Sequence, residues 1–357
     1  MLTAEGCRAR RRRLFDRVAG LPDPLVLADP LHLCYFAGAY VSPISLGGGF
    51  LAALVLRADG SATLLHDGRL PPSVQSAHVD EMRAIPWYDG ESPGRGPRQL
   101  ALLDALPAAP ADTWGSPTCR AVVEAVADLR RQKDPDELAL LAQCCRVAEA
   151  GHDWGLHHVA PGMSEIDVYA GVAGACQRVA GQPVIVYGDF AVSPGPDRRG
   201  GPPTSRRLEA GDLMILDFSV ILGGYRCDFT NTVCVGREPT AEQQRLFDAC
   251  VRAMAAGEAL LRAGAACQSV DDAVCDSFRR DGLLEHFGHH AGHGLGLSHP
   301  EAPYFVRHST ETLLENDVVT LEPGLYVPGV GGLRIEHNYR ITPDGSDRLS
   351  RHRIALR

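Results

Sequence analysis

The chain has 357 residues and a mass of 38.3 kDa, which at roughly 100–200 residues per domain points to two domains. With 45% apolar and 22% charged residues it fits neither a disordered chain, nor a collagen, nor a disulfide-rich miniprotein, and no apolar run approaches the roughly 18 residues of a membrane-spanning helix. A net charge of -9 and a pI of about 5.9 argue against a nucleic-acid surface.

The chain opens with an arginine-rich stretch, Arg10 to Arg13, that reads as solvated surface. Charge and proline interrupt residues 14–24, so no signal peptide is read and a cytoplasmic location is expected. Short apolar runs at 25–28, 51–56 and 62–65 predict buried strands, with turns at Gly47-Gly48-Gly49 and Arg57-Ala-Asp-Gly60. Helices are predicted over 98–106 and 118–131, which makes the first part a small α/β unit, with Trp87-Tyr88 read as core in preference to a substrate contact donated across a dimer. Lys133 is the single lysine among 35 basic residues. Its setting, Arg-Gln-Lys-Asp-Pro, reads as a polar linker, so neither Schiff-base chemistry nor a phosphate-binding loop has the placed lysine it needs. The expected domains are residues 1–131 and 132–357.

Asp134, Pro135 and Glu137 supply an N-cap, a first-turn proline and a capping box for a helix reaching about His158, in which Cys144-Cys145 packs. Those two belong to eleven cysteines, an odd number without a Cys-x-x-Cys pair, so no disulfide framework is expected. Ser164 caps the next helix, and 191–204, dense in Pro, Gly and Arg, reads as a loop. Strands follow from Leu213 to Leu222 and from Tyr225 to Val235, joined at Gly223-Gly224. Helices over 240–262 and 269–284, then strands Val318 to Glu322 and Leu333 to Ile341, complete an α+β second part.

Four acidic residues fall within these apolar strands: Asp217, Asp228, Glu322 and Glu336. A buried carboxylate is costly unless it is paired or bound to metal, and four of them ask for a common explanation. A hairpin loop at Leu222-Gly223 would set Asp217 directly opposite Asp228 on one face of the sheet, where a divalent cation would relieve their repulsion. Nitrogen is available in the His- and Gly-rich stretch from Gly288 to Pro303, and His293, between Gly292 and Gly294, is the best placed. Five O and N ligands without a thiolate suit Mn, Co, Fe or Zn. Two such ions sharing carboxylates would hold a bridging hydroxide for metal-assisted hydrolysis. The competing explanation is an ion-pair cluster with Arg206, Arg207 and Arg334. His308 and His337 read as surface or packing residues, whereas His299 is the histidine to test for a place in the substrate pocket.

The order Asp, Asp, His, Glu, Glu in the settings LDF, CDFT, GHGLG, LEPGLY and RIEH resembles the M24 metallopeptidase family across nearly all of 134–357. The first part, in LVLADPLHLCYFAG, resembles the creatinase-type N-terminal domain. The resemblance implies an α+β architecture: a C-terminal pita-bread domain preceded by a smaller α/β domain, in a homodimer acting on a peptide or small molecule. It implies two divalent ions, Mn foremost, with Asp217 on one, His293 and Glu322 on the other, and Asp228 and Glu336 bridging. Glu322 would also move a proton, Arg334 would orient a carboxylate, and His289 and His299 would meet substrate. His289 resembles a histidine of proline-acting members, so an Xaa-Pro aminopeptidase or prolidase-like activity is expected. Two departures stand out. The family's histidine eight positions before the leucine of L-x-x-G-D is Gly200 here, and the one seven positions after the metal histidine is Pro300, with His299 displaced by one. They keep open an alternative, a family member that cleaves a C–N or C–S bond of a small molecule.

Overall fold

The computed structural model describes residues 1–40, 51–68, 72–88, 90–91, 98–193 and 200–357; the expected turn at Gly47-Gly48-Gly49 and part of the 191–204 loop lie outside them. The chain divides into two compact units. Met1–Arg130 with Asp134–Leu140 forms the first, and Arg131–Lys133 with Leu141–Arg357 forms the second.

The first unit begins with helix α1 (Ala4–Arg17), capped by the Thr3 hydroxyl. After β1 (Leu25–Leu27), the Asp29 side chain and Pro30 start α2 (Pro30–Ala37), which Gly38 closes in the left-handed conformation, φ 65°. Next come β2 (Ala52–Leu56), β3 (Ala62–Asp67), α3 (Pro72–Gln75), β4 (Glu81–Ile85), α4 (Arg98–Ala105) and α5 (Cys119–Leu129). The sheet has the order β1-β2-β3-β4, antiparallel except for the β3–β4 pair. Two expectations fail here. Arg10 and Arg11 are buried rather than solvated: Arg10 is held by Asp136, and Arg11 Nε and Nη1 donate to the carbonyls of Gly60, Phe36 and His78 at 2.7–2.9 Å. Tyr88, placed in the core by its apolar ring, is 45% exposed.

Helix α6 (Pro135–His158) gives its first turns to the first unit and the rest to the second. A capping box between Ser164 and Asp167 starts α7 (Glu165–Ala180). Strand β5 (Ile185–Ser193), which carries no clean period in the sequence, pairs antiparallel with β6 (Leu213–Leu222). On its other edge β6 pairs with the short β7 (Tyr225–Arg226) and with β8 (Phe229–Cys234). Helices α8 (Ala241–Glu258) and α9 (Cys267–Arg280) follow, then β9 (Gly292–Gly294), β10 (Glu301–Phe305), β11 (Val318–Leu321), β12 (Gly324–Val327), β13 (Gly331–Arg334), β14 (His337–Ile341) and β15 (Ser346–Arg348). A second sheet has the order β10-β9-β11-β14-β15, and β12-β13 is a hairpin. The two helices bury Leu246, Cys250, Val270, Val274 and Phe278 with Leu321, Leu325 and Tyr339 of the strands.

Lys133 is not a linker residue: it is 2% exposed, and its Nζ lies 2.8 Å from Glu301 Oε1. The hairpin register also differs from the expected one. Gly223 and Gly224 form the two-residue loop, Leu222 faces Tyr225, and Asp217 faces Thr230 rather than Asp228. The slip is two residues, one full side-chain period, so Asp217 and Asp228 still share a face. The acids are also less strand-bound than expected. Asp217 lies within β6, while Asp228, Glu322 and Glu336 occupy breaks: between β7 and β8, after β11, and between β13 and β14.

Candidate metal centre and pocket

Asp217, in the middle of β6, stands between Asp189 of β5 and Thr230 of β8. In the break before β8 the Asp228 N–H donates to Asn338 Oδ1 at 3.1 Å, which fixes the backbone where the ladder lapses. Its carboxylate accepts from the Ser219 hydroxyl at 3.3 Å and lies 2.5 Å from His299 Nε2. Glu336 accepts the Thr230 hydroxyl on Oε2 at 2.7 Å. Glu322 Oε1 lies 3.0 Å from His290 Nε2 and 3.5 Å from His293 Nε2 and accepts from the Thr320 hydroxyl at 3.3 Å. His293 Nδ1 lies 2.8 Å from the Gly294 carbonyl. A carbonyl only accepts, so Nδ1 carries the proton and the Nε2 lone pair is left for a cation.

These groups converge. Oxygens of Asp217, Asp228 and Glu336 lie within 4.8 Å of one another, as do the ligand atoms of His290, His293 and Glu322, and those of Asp228, His293 and His299. The expected five residues thus face one centre, and His290 and His299 join them. Of the three arginines weighed for a purely ionic cluster, Arg334 pairs with Asp217, whereas Arg206 and Arg207 donate to the carbonyls of Val192 and Gly162.

Electrostatics show the strain of so many acids in one place. Burial, partly opposed by Arg334 and reinforced by Asp228, pushes the Asp217 carboxyl up to about 7. Burial, then the charges of Asp228 and Glu322, pushes Glu336 well above the carboxylate range. Burial would also raise Glu322, but the His290 hydrogen bond and the nearby His293 hold it well below its ordinary value. Glu336 Oε1 is buried without a hydrogen-bond partner. An orphaned carboxylate oxygen among like charges is costly, and a divalent cation supplies the missing partner. The donor set, oxygen and imidazole nitrogen without sulfur, fits such ions.

Beside the centre lies a cavity of about 840 Å³. Tyr169, Val186, Tyr187, Pro202 and Pro203 give it an apolar wall, and the histidines and acids form the other side. Arg334 crosses between the two. Its Nη2 contacts Asp217 and lies 3.0 Å from Asp189 Oδ2, and its Nη1 donates to the Tyr326 hydroxyl at 2.7 Å. That hydroxyl lies 3.3 Å from His289 Nε2, while His289 Nδ1 lies 2.8 Å from the His290 carbonyl. His289 therefore lines the cavity with both ring nitrogens engaged. Gly200 lies against Asp189: a Cβ there would come within 1.9 Å of Asp189 Oδ2, and Gly201 N–H donates to Oδ1 at 2.8 Å. A carboxylate from β5 stands where a side chain at position 200 would go.

Sequence reasoning missed Asp189, His290 and Tyr326. The His289-His290 doublet and the tyrosine of Leu-Glu-Pro-Gly-Leu-Tyr were visible signals. Asp189 had none, because its role depends on the β5–β6 register.

Residues 139–343 match the model of metallopeptidase family M24, and the chain belongs to that family. The protein of Mycobacterium tuberculosis H37Rv named "Probable dipeptidase PepE" is 31% identical over 341 residues, covering 90% of this chain and 88% of that one. Dipeptidase PepE from Mycobacterium ulcerans superposes with a TM-score of 0.76 at 27% identity, over 99% of this chain and 98% of the other. The Xaa-Pro dipeptidase from Bacillus anthracis superposes with a TM-score of 0.73 at 25% identity, over 99% of each chain. The fold is the α+β pita-bread architecture of these peptidases, and the chain is a metal-dependent hydrolase of the peptidase class that uses divalent ions. The small-molecule alternative raised by Gly200 and Pro300 is not favoured by these relatives.

Proposed function

We propose that the protein is an Xaa-Pro aminopeptidase or prolidase-like dipeptidase with two divalent ions, Mn foremost and Co, Fe or Zn as substitutes. Asp217 would hold one ion, His293 and Glu322 the other, and Asp228 and Glu336 both. The observation that carries the reading is the partnerless buried Oε1 of Glu336 among converging acids, beside a cavity walled by tyrosine and proline. All three relatives described above are named as dipeptidases, one of them for Xaa-Pro substrates.

When bound, the ions would polarise the scissile carbonyl and make water a nucleophile near neutral pH. The protein's own groups do the rest. Glu322, which accepts from the Thr320 hydroxyl, takes and returns a proton at its carboxylate. His299, seated on Asp228, faces substrate as a donor despite its one-residue displacement. Arg334 fixes the Asp217 carboxylate and, through Tyr326, the orientation of His289. The apolar wall suits the ring of a proline, and its desolvated surface favours a short peptide.

The same reading makes residues 1–131, close to the span of the first unit, a creatinase-type domain before a catalytic domain of residues 132–357 in a cytoplasmic homodimer. Eleven free cysteines fit a reducing compartment. Exposed Trp114 and Leu103 leave apolar surface on the first unit for a second copy.

The test is a panel of Xaa-Pro dipeptides, Xaa-Pro-Xaa tripeptides and proline-free controls on Mn-loaded protein, beside His299→Ala. Metal-dependent cleavage confined to Xaa-Pro bonds is expected, with His299→Ala slowed about 100-fold. An inert, correctly loaded protein would sink the peptidase reading.

A further inference from the structure

The chain has no histidine at positions 200 and 300 and carries one at 290 whose part in the reaction is unassigned. We infer that His290 is an additional ligand to the ion held by His293 and Glu322, so that this half of the centre has two imidazoles. The inference rests on the dinuclear reading above and extends it.

The geometry distinguishes His290 from the other histidines of the pocket. Donor atoms about 2.1 Å from one ion lie about 3.0 Å apart at a right angle and about 3.4 Å apart at a tetrahedral one. His290 Nε2 lies 3.0 Å from Glu322 Oε1, and His293 Nε2 lies 3.5 Å from the same oxygen. Both separations match the edges of a coordination polyhedron around one ion, and the three donors already lie within 4.8 Å of one another. His299 does not match: its Nε2 is 2.5 Å from Asp228 Oδ2, a hydrogen-bond length too short for two donors on one ion. His289 is spent on Tyr326 and the His290 carbonyl. His290 and Asp271 of α9 both line a second cavity of about 410 Å³.

An additional imidazole softens the site, which favours Co and Zn over Mn relative to a centre with one histidine. The experiment uses the metal alone on the full chain. Ion-free protein is titrated with Co²⁺, followed by calorimetry and by visible absorption, for wild type, His290→Ala, His290→Asn and His299→Ala. Wild type is expected to take two ions. Both His290 variants are expected to bind one of them at least tenfold more weakly and to shift the Co²⁺ absorption, whereas His299→Ala, which removes a hydrogen-bond partner of Asp228 and no ligand, is expected to keep both ions at near wild-type affinity. Folded His290 variants with wild-type affinity and wild-type absorption would overturn the inference while leaving the dinuclear reading intact. A wild-type chain that binds no Co²⁺ would overturn both. Circular dichroism confirms that each variant is folded, and His290, on the cavity surface, tolerates truncation to either residue.

Discussion

At the scale of single residues, the pocket is shaped by a pair in which one member has no side chain. Gly200 permits the Asp189 carboxylate to reach Gly201 N–H and Arg334, and any Cβ at 200 would collide with it. Gly200→Ala is therefore expected to displace Asp189 from both donors. Hydrogen bonds to charged groups are worth roughly 1.5–3 kcal/mol. Asp189 is about one-third exposed, so the lower end applies, about 1–2 kcal/mol of stability. Asp189→Ala removes the collision, so the double variant should be no less stable than Asp189→Ala alone. Urea unfolding of the four proteins measures this coupling, and additive losses would mean that the two positions do not compete for space. The pair also marks how far the site was legible. The four acids and His293 announced themselves because each is chemically out of place in an apolar or glycine-rich setting. Asp189 did not, because a polar residue in a half-exposed strand is ordinary until the neighbouring strand fixes what it faces. The register slip of two was harmless for the same geometric reason, since side-chain direction repeats every second residue.

At the scale of elements, the strands and helices with strong apolar periods were read to within a few residues, whereas α1 was missed outright. Its buried face is made partly of arginine. Arg11 sends Nε to the Gly60 carbonyl and Nη1 to those of Phe36 and His78, ends of backbone that no strand or helix satisfies. The side chain acts as a bracket between three chain segments of the first unit, a role a hydropathy pattern cannot show. Arg11→Met keeps the stem and removes all the donors, leaving three carbonyls short of a partner at about 1–3 kcal/mol each. A loss of more than about 3 kcal/mol is expected for the first unit. Arg12→Met removes an exposed guanidinium whose Nε donates to the Asp59 carbonyl at 2.9 Å, and should change stability by less than about 0.5 kcal/mol. Thermal unfolding of the two variants separates the cases, and equal shifts would show that burial of Arg11 contributes nothing specific.

At the scale of the whole catalytic unit, an imidazole stack ties together segments far apart in the chain. His152 of α6 stacks on Phe218 and Phe229 with ring centroids 4.4 and 4.8 Å away, and on His352 of the C-terminal tail at 4.6 Å. His352 in turn meets His337 of β14 at 4.7 Å. Nε2 of His152 and of His352 lie 3.0 and 3.1 Å from the carbonyls of Phe229 and Thr230, so both rings serve as hydrogen-bonded packing. Burial, followed by the neighbouring imidazole, holds His152 well below its ordinary pKa. Burial, opposed by the hydrogen bond to Thr230 and aided by the charge of Arg348, holds His352 at about 4. Since the folded pKa lies below the unfolded one, the unfolded chain takes up protons first as the medium is acidified. The stabilisation from neutral rings is complete above about pH 6.5 and is lost as the pH falls, at roughly 1.4 kcal/mol per pH unit for each ring that stays neutral in the fold, a window that for His352 ends near pH 4. His152→Phe keeps the stack and removes one of these rings. Denaturant unfolding of chelator-treated wild type and variant at pH 7.5, 6 and 5 should show the wild type losing stability faster, by about 1.4 kcal/mol per pH unit below 6.5. Carboxylate titrations are common to both proteins and cancel in the difference, so parallel curves would mean that His152 takes up its proton in the fold as readily as in the unfolded chain and that the stack does not depend on neutral rings.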